Sequence, residues 1–254
     1  MAHKLYFDNK STYNLTADDK AATFDGSSGL FVLADDGSDY VTNESRVTDR
    51  SVASAVSNMA ADDALLFDFG ASTTMDFMAV HVEADVATNI QILRSAATTG
   101  DTTSVSLITD DLTAGWNVFD FTSVSSRYWS LRVSDAFAPT EIFFGTALNL
   151  PIDGAGITID KPYNTFIAST YNNAEFSNKV DTELRTWSID IPILTSDDKT
   201  ELENLITNYK NLYKFIYYDE TSYHNVRLSK PLTFNQIASN TYSTTLALHE
   251  QSTA

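Results

Sequence analysis

Few residues of this chain stand at the spacing a reaction demands. The four histidines, His3, His81, His224 and His249, are scattered, and no pair has the H-x-x-x-H spacing that sets two imidazoles on one helix face for a metal. No G-x-S-x-G elbow presents a serine nucleophile. Cysteine is absent, which removes thiol catalysis, thiolate metal sites and disulfides together. Gly26-Ser27-Ser28-Gly29 has neither the following lysine nor the strand–turn–helix setting of a phosphate loop. Asp35-Asp36-Gly37-Ser38-Asp39 alternates oxygens as a calcium loop begins, but no bidentate glutamate follows at the right offset, so it reads as an acidic turn. Glycoside hydrolysis would need two carboxylates about 5–10 Å apart in a cleft. With 34 acidic residues, pairs arise by chance and none stands out. The expectation is a non-enzymatic protein with no catalytic, cofactor or metal residue.

The aromatic residues divide by position. Trp129 and Trp187 lie on apolar strand faces and are expected in the core. Trp116 follows Thr113-Ala114-Gly115 at a loop-to-strand junction, away from those faces, and is the candidate ligand-binding residue. Tyr217, Tyr218 and Tyr223 crowd a second stretch. Alternation turns some of these rings outward, and exposed tyrosines on strands mark protein interfaces, so the three are candidates for a subunit contact.

Around these residues the chain is acidic. There are 16 Lys and Arg against 34 Asp and Glu, a net charge of −18. Such a surface repels phosphate backbones and anionic lipid heads, which argues against specific nucleic-acid binding and membrane-surface binding. No stretch approaches the roughly 18 apolar residues of a membrane span. The first residues lack the apolar run of a secretory signal, so the chain is expected to stay where it is made. At 43% hydrophobic and 12% aromatic, 254 residues can bury real cores, most naturally two.

The elements that must position these residues are nearly all strands. Leu65–Gly70, Met75–Ala84, Ile90–Ser95, Thr103–Ile108, Gly115–Phe121, Arg127–Val133 and Glu141–Gly145 are short apolar or alternating runs between polar turns, the pattern of a β-sandwich or jelly roll. Met78, Val80 and Val82 share one face, which places His81 on the other, exposed or at an interface. Leu150–Gly156 has the composition of a hinge. Charge shifts across it, with eight basic and 21 acidic residues in 1–150 against eight and 13 in 151–254. The reading is two domains, 1–151 and 152–254. In the second, Trp187, Ile189 and Ile191 share a strand face. Thr195 or Ser196 caps a helix over about 196–210, with Asp197 and Asp198 at its positive end and Leu202, Leu205, Ile206 and Tyr209 on one side. Phe215–Tyr218 and Tyr223–Leu228 form a hairpin around Asp219–Ser222, and Leu232–Gln236 and Tyr242–Glu250 complete the set.

Two resemblances arise from these residues. Leu66-Phe67-Asp68-Phe69-Gly70, Met75–Val82 and Ile90–Ser95, closed by Arg127–Val133 and Glu141–Gly145, resemble the core of galactose-binding-like (discoidin-type) jelly rolls over about 60–148. The disulfide that ties many extracellular members is missing. Trp187–Pro192, the capped helix, Phe215–Asp219, Arg227–Phe234 and Tyr242–Leu248 resemble a module of tailed-bacteriophage tail-tip proteins, the distal and minor tail proteins, over about 155–251. The second resemblance implies a tube-like β-sandwich with one flanking helix. It also implies a virion protein assembled in the host cytoplasm, forming a ring (often of six copies) at the end of the tail tube and docking other tail proteins. The first implies, as the alternative, a carbohydrate-binding or adhesion module that takes a host-surface glycan.

Overall fold

A computed structural model describes residues 3–6, 22–25, 30–33, 63–87, 89–95, 103–108, 111–135, 138–151, 156–161, 165–169, 175–179, 184–209 and 214–251. The acidic turn at Asp35–Asp39 and the Gly26–Gly29 stretch lie outside them. The chain is mainly β, as expected. Its elements are β1 (Lys4–Tyr6), β2 (Ala22–Asp25), β3 (Leu30–Leu33), β4 (Asp63–Val82), β5 (Ile90–Ser95), β6 (Thr103–Ile108), β7 (Gly115–Val133), β8 (Glu141–Gly145), β9 (Leu148–Asn149), β10 (Ile157–Asp160), β11 (Thr165–Ser169), β12 (Glu175–Lys179), β13 (Thr186–Thr195), α1 (Ser196–Tyr209), β14 (Phe215–Tyr218), β15 (Tyr223–Leu228), β16 (Asn235–Ala238) and β17 (Thr241–Glu250). Among the described residues every strand pairing is antiparallel. Among the described residues no helix is long and apolar enough to cross a membrane.

The chain divides into two compact units, Asp8–Ala147 and a second made of Met1–Phe7 with Leu148–Ala254. This differs from a cut at 151/152 at the start of the chain. β1 inserts between β14 and β9, pairing Leu5 with Tyr217 on one side and with Leu148 on the other. The physical reason is apolar burial. Leu5 and Tyr6 are almost wholly shielded from solvent, and Leu5 belongs to the core built by Trp187, Ile189, Phe215, Tyr217 and Leu246.

In the first unit the strands run in the order β3-β2-β4-β7-β5-β6, with β8 beside β4. Where the sequence suggested four strands, there are two long ones of 20 and 19 residues. Ala71–Thr74 and Thr122–Ser126 read as breaks because they are small and polar, yet Ser and Thr are tolerated in strands where one side is wet. These stretches are bends, and the ladder between β4 and β7 shifts register there, at Asp68/Thr73 and Met75/Phe77. The bends are forced. The start of β7 pairs with Val82 and its end with Ile90. Residues 82 and 90 can be at most about 30 Å apart, whereas 19 extended residues would span roughly 60 Å. β7 therefore folds over, and its halves enter two packed layers. Between the layers lie Phe67, Trp129, Leu131 and Ile92 from one side and Met78, Val80, Ile142 and Phe144 from the other. The rings of Phe67 and Phe144 meet edge to face at 4.9 Å.

The second unit holds an eight-stranded sheet, β10-β13-β17-β15-β14-β1-β9 with β16 also on β17, and a separate two-stranded sheet of β11 and β12. Strand β13 alternates as expected, with Trp187, Ile189 and Ile191 buried. Helix α1 begins where its capping box predicts: the Asp198 amide donates to Thr195 Oγ1 at 3.2 Å, and the Thr195 amide donates back to Asp198 Oδ2 at 3.0 Å. Leu202 packs fully into the core from this helix.

Candidate functional site

The first unit presents a braced rim at one end of its layers. Leaving β4, residues 83–87 run beside the approach to β7. Val86 and Leu112 exchange two backbone hydrogen bonds of 2.9 Å, and the Ala114 amide donates to Asp85 Oδ1 at 2.8 Å. Asn117 organises the turn from inside: Oδ1 accepts from the Thr113 amide at 3.0 Å, and Nδ2 donates to the Thr113 carbonyl at 2.8 Å. Gly115 completes the turn at φ +101°, a region a Cβ disfavours. At the other end of β7, Ser134 and Asn89 bond each other through amide, carbonyl and hydroxyl. Glu83, Asp85, Asn89, Asp111, Thr113 and Asp135 are exposed here, a set of acceptors and short polar side chains suited to hydroxyl groups. Gly115→Ala should cost about 1 kcal/mol or more, since its surroundings are open and only the backbone conformation objects; a thermal melt within error of wild type would contradict this.

Trp116 is not a platform on that rim. It is 8% exposed, with its ring 5.1 Å from His81 and 5.0 Å from Phe143. Alternation is the reason: Trp116 pairs in register with His81 on a face that is covered, not wet. His81 departs from expectation for the same reason, being 5% exposed with Nδ1 2.6 Å from Thr140 Oγ1. Trp116→Ala should therefore act on stability, by about 3–5 kcal/mol. Any ligand affinity of the rim should survive it at temperatures where the variant is folded, as titration calorimetry would report.

The three tyrosines also separate. Tyr217 lies wholly in the core, so it cannot serve a partner surface. Its hydroxyl is 2.9 Å from His3 Nδ1, its ring stacks on His3, and it meets Trp187 edge to face. Burial, and then the charges of Asp219 and Glu220, push its phenol well above the ordinary range. Tyr218 and Tyr223, one step out of phase with Tyr217, form the last register pair before the turn, with rings 4.8 Å apart and half-buried.

Beside them lies a cluster that the sequence reading did not assemble. His224 is 6% exposed and uses both ring nitrogens, Nε2 at 2.9 Å from Asp219 Oδ2 and Nδ1 at 3.1 Å from Glu250 Oε1. Asp219 also accepts from the Thr221 hydroxyl and from the amides of Thr221 and Ser222. Burial of the Asp219 carboxyl works upward, but the bonds from Thr221, Ser222 and His224 outweigh it and bring its pKa down to about 2. Burial likewise opposes the lowering of Glu250, which the His224 bond, the Arg185 amide and the charges of both residues produce. The trio looks like an acid–base site but lacks its requirement, a ring nitrogen left for a substrate. It is a clamp that ties the hairpin turn to the end of β17. Asp219 and His224 could be found from the hairpin register; Glu250 has no local signal.

Among the described residues no group of acids and histidines could hold a metal ion. No family model matches the chain, and no curated protein matches it. Solved structures do. Chitosan-binding module 2 of a Paenibacillus sp. IK-5 chitosanase/glucanase, in complex with chitotriose, is 13% identical with a TM-score of 0.35, over 39% of this chain and 83% of that one. A mutant of chitosan-binding module 1 from the same enzyme is 18% identical with a TM-score of 0.39, over 55% of this chain and 100% of that one. CpGH89CBM32-5 from Clostridium perfringens, in complex with GalNAc-β-1,3-galactose, is 10% identical with a TM-score of 0.35, over 39% and 81%. Likeness at this level transfers no ligand and no residue role to this chain.

Proposed function

We propose that the chain is a non-catalytic binding protein whose first unit takes a carbohydrate at the rim around Asp85, Thr113 and Asn117. The observation behind this reading is the bracing of that rim. Bonds from Asp85, Asn117 and Ser134 hold the loops on both sides of β7 in one conformation, so a ligand need not pay to order them. Short polar side chains and carboxylates on a rigid edge suit a ligand rich in hydroxyls. The jelly-roll resemblance of residues 60–148 points the same way. The commitment of both His224 nitrogens to carboxylates removes the most acid–base-like cluster from catalysis. A glycan array probed with the full chain tests the proposal, followed by the same array with Asn117→Ala. Binding that Asn117→Ala weakens supports it; an array with no binder, or binding indifferent to that change, sinks it.

A second reading is a structural virion protein of a phage tail tip that self-associates through its second unit. The exposed large apolar side chains among the described residues, Ile159, Ile193 and Ile237, all belong to that unit. Native mass by light scattering, with electron microscopy of the same sample, tests it: a closed ring supports assembly, and a monomer at high concentration counts against it.

A further inference from the structure

The turn between β14 and β15 carries two adjacent carboxylates, Asp219 and Glu220. Glu220 sits at φ +73°, a left-handed conformation that a β-carbon disfavours. Such a backbone persists only where surrounding contacts impose it. The buried His224 ring is one of those contacts, because it bridges the turn to another strand. Its Nε2 is 2.9 Å from Asp219 Oδ2, and its Nδ1 is 3.1 Å from Glu250 Oε1 at the end of β17. Other donors favour the ionised form of both acids. Asp219 Oδ1 gathers the Thr221 hydroxyl and the amides of Thr221 and Ser222, and Glu250 Oε2 accepts from the Arg185 amide at 2.8 Å. An ionised carboxylate only accepts, so each ring nitrogen must donate, and only the imidazolium donates from both. A neutral ring keeps one N–H and turns a lone pair toward the other carboxylate. One of the two contacts then becomes repulsive, and losing either one breaks the bridge.

We infer that His224 is a proton-operated latch: its imidazolium fastens the Asp219–Ser222 turn to the end of β17, and its neutral ring releases the turn. The tie is complete while the ring holds its second proton and is lost as rising pH removes it. The other ionisable groups around it set the balance. Tyr217, the register partner of His224 on β14, keeps its phenol neutral because burial and the nearby acids push it well above the ordinary range. Its hydroxyl lies 2.9 Å from His3 Nδ1, and His3 Nε2 faces Glu220 Oε1 at 4.0 Å. Arg185 places a positive charge near Glu250, which works against a second one there. Three carboxylates, Asp219, Glu220 and Glu250, oppose that single arginine and favour the closed latch. The inference is independent of what the first unit binds and of any self-association.

The test uses the full chain with nitrogen-labelled histidine, whose four residues allow His224 to be assigned by the signals lost in His224→Gln. At about pH 7 both ring nitrogens of His224 should give the magnetic resonance shifts of an imidazolium; a ring with one protonated nitrogen there overturns the inference. Toward about pH 9 the ring should become neutral. Over the same range the Thr221 and Ser222 amides, corrected for their intrinsic exchange rates, should lose at least about tenfold in protection, the loss expected for one hydrogen bond to a charged group. Amides of β5 and the second half of β7 in the first unit should keep theirs. Glu250→Gln removes a charge but keeps an acceptor, so it should move ring deprotonation and turn release together to lower pH. In His224→Gln the protection of the turn should no longer follow pH. The inference falls if the ring keeps both protons to about pH 9, if it loses one without loosening the turn, or if His224→Gln retains the wild-type pH dependence.

Discussion

Leu5→Ala is expected to destabilise the second unit by about 2–5 kcal/mol, the range for emptying a fully buried leucine site. Few single changes so near the start of a chain should do as much. The cost follows from where Leu5 sits, between Tyr217 and Leu148 in register and inside the core of Trp187 and Leu246. Hydrogen exchange gives the informative readout. Amides of β14 and β15 should lose protection, while those of β5 and the second half of β7 in the first unit keep theirs. Equal loss in both units, or no loss, would remove β1 from the second core. The same placement predicts that residues 152–254 alone fail to fold, since they lack β1, β9, Leu148 and Leu150.

The second large effect belongs to His224. Replacing it with leucine leaves the Asp219 and Glu250 carboxylates, with side chains 11% and 20% exposed, without the group between them. Removing one member of a buried charged set costs about 3–5 kcal/mol. The pH dependence distinguishes this from lost packing. In the wild type Asp219 has its pKa lowered from 3.8 to about 2. Its contribution is fully present above about pH 4 and disappears as pH falls toward 2, because the unfolded carboxyl takes up a proton first. In His224→Leu the stranded carboxylates favour protonation in the folded state. The variant should therefore gain stability as pH drops from 7 toward 5, where the wild-type contribution of Asp219 is level. Urea midpoints at several pH values measure both; a variant within about 0.5 kcal/mol of wild type would dismiss the clamp.

Much of this architecture could be read from residue order, because its signals are local. The helix starts at its capping box, and the hairpin turns at Asp219–Ser222, where an Asp carboxylate gathers the turn amides. The core faces of β13 and β17 follow simple alternation. What escaped was non-local. Nothing within Lys4–Tyr6 says that its partners are 140 residues or more away. The Ser- and Thr-rich bends of β4 and β7 look like turns until the pairing of both ends of β7 across residues 83–89 is known. Trp116 and His81 were misjudged together, since alternation tells which residues share a face but not whether that face is covered. Tyr217 was grouped with its neighbours by composition, although phase alone separates it from Tyr218 and Tyr223. The rim had one faint mark, an asparagine two positions after a glycine, and only the backbone shows what Asn117 holds.

The pairing of β1 with β9 makes the first unit replaceable. Its chain leaves from one strand and returns on the adjacent antiparallel strand, with Leu5 opposite Leu148. Topologically, residues 8–147 occupy the place of a hairpin loop. A two-residue Asn-Gly turn could join Tyr6 to Ala147 and close the same ladder. The second unit is thus a socket in the order of the chain, and residues 8–147 are a cassette that can be cut out or exchanged for another without altering the register of β1 and β9.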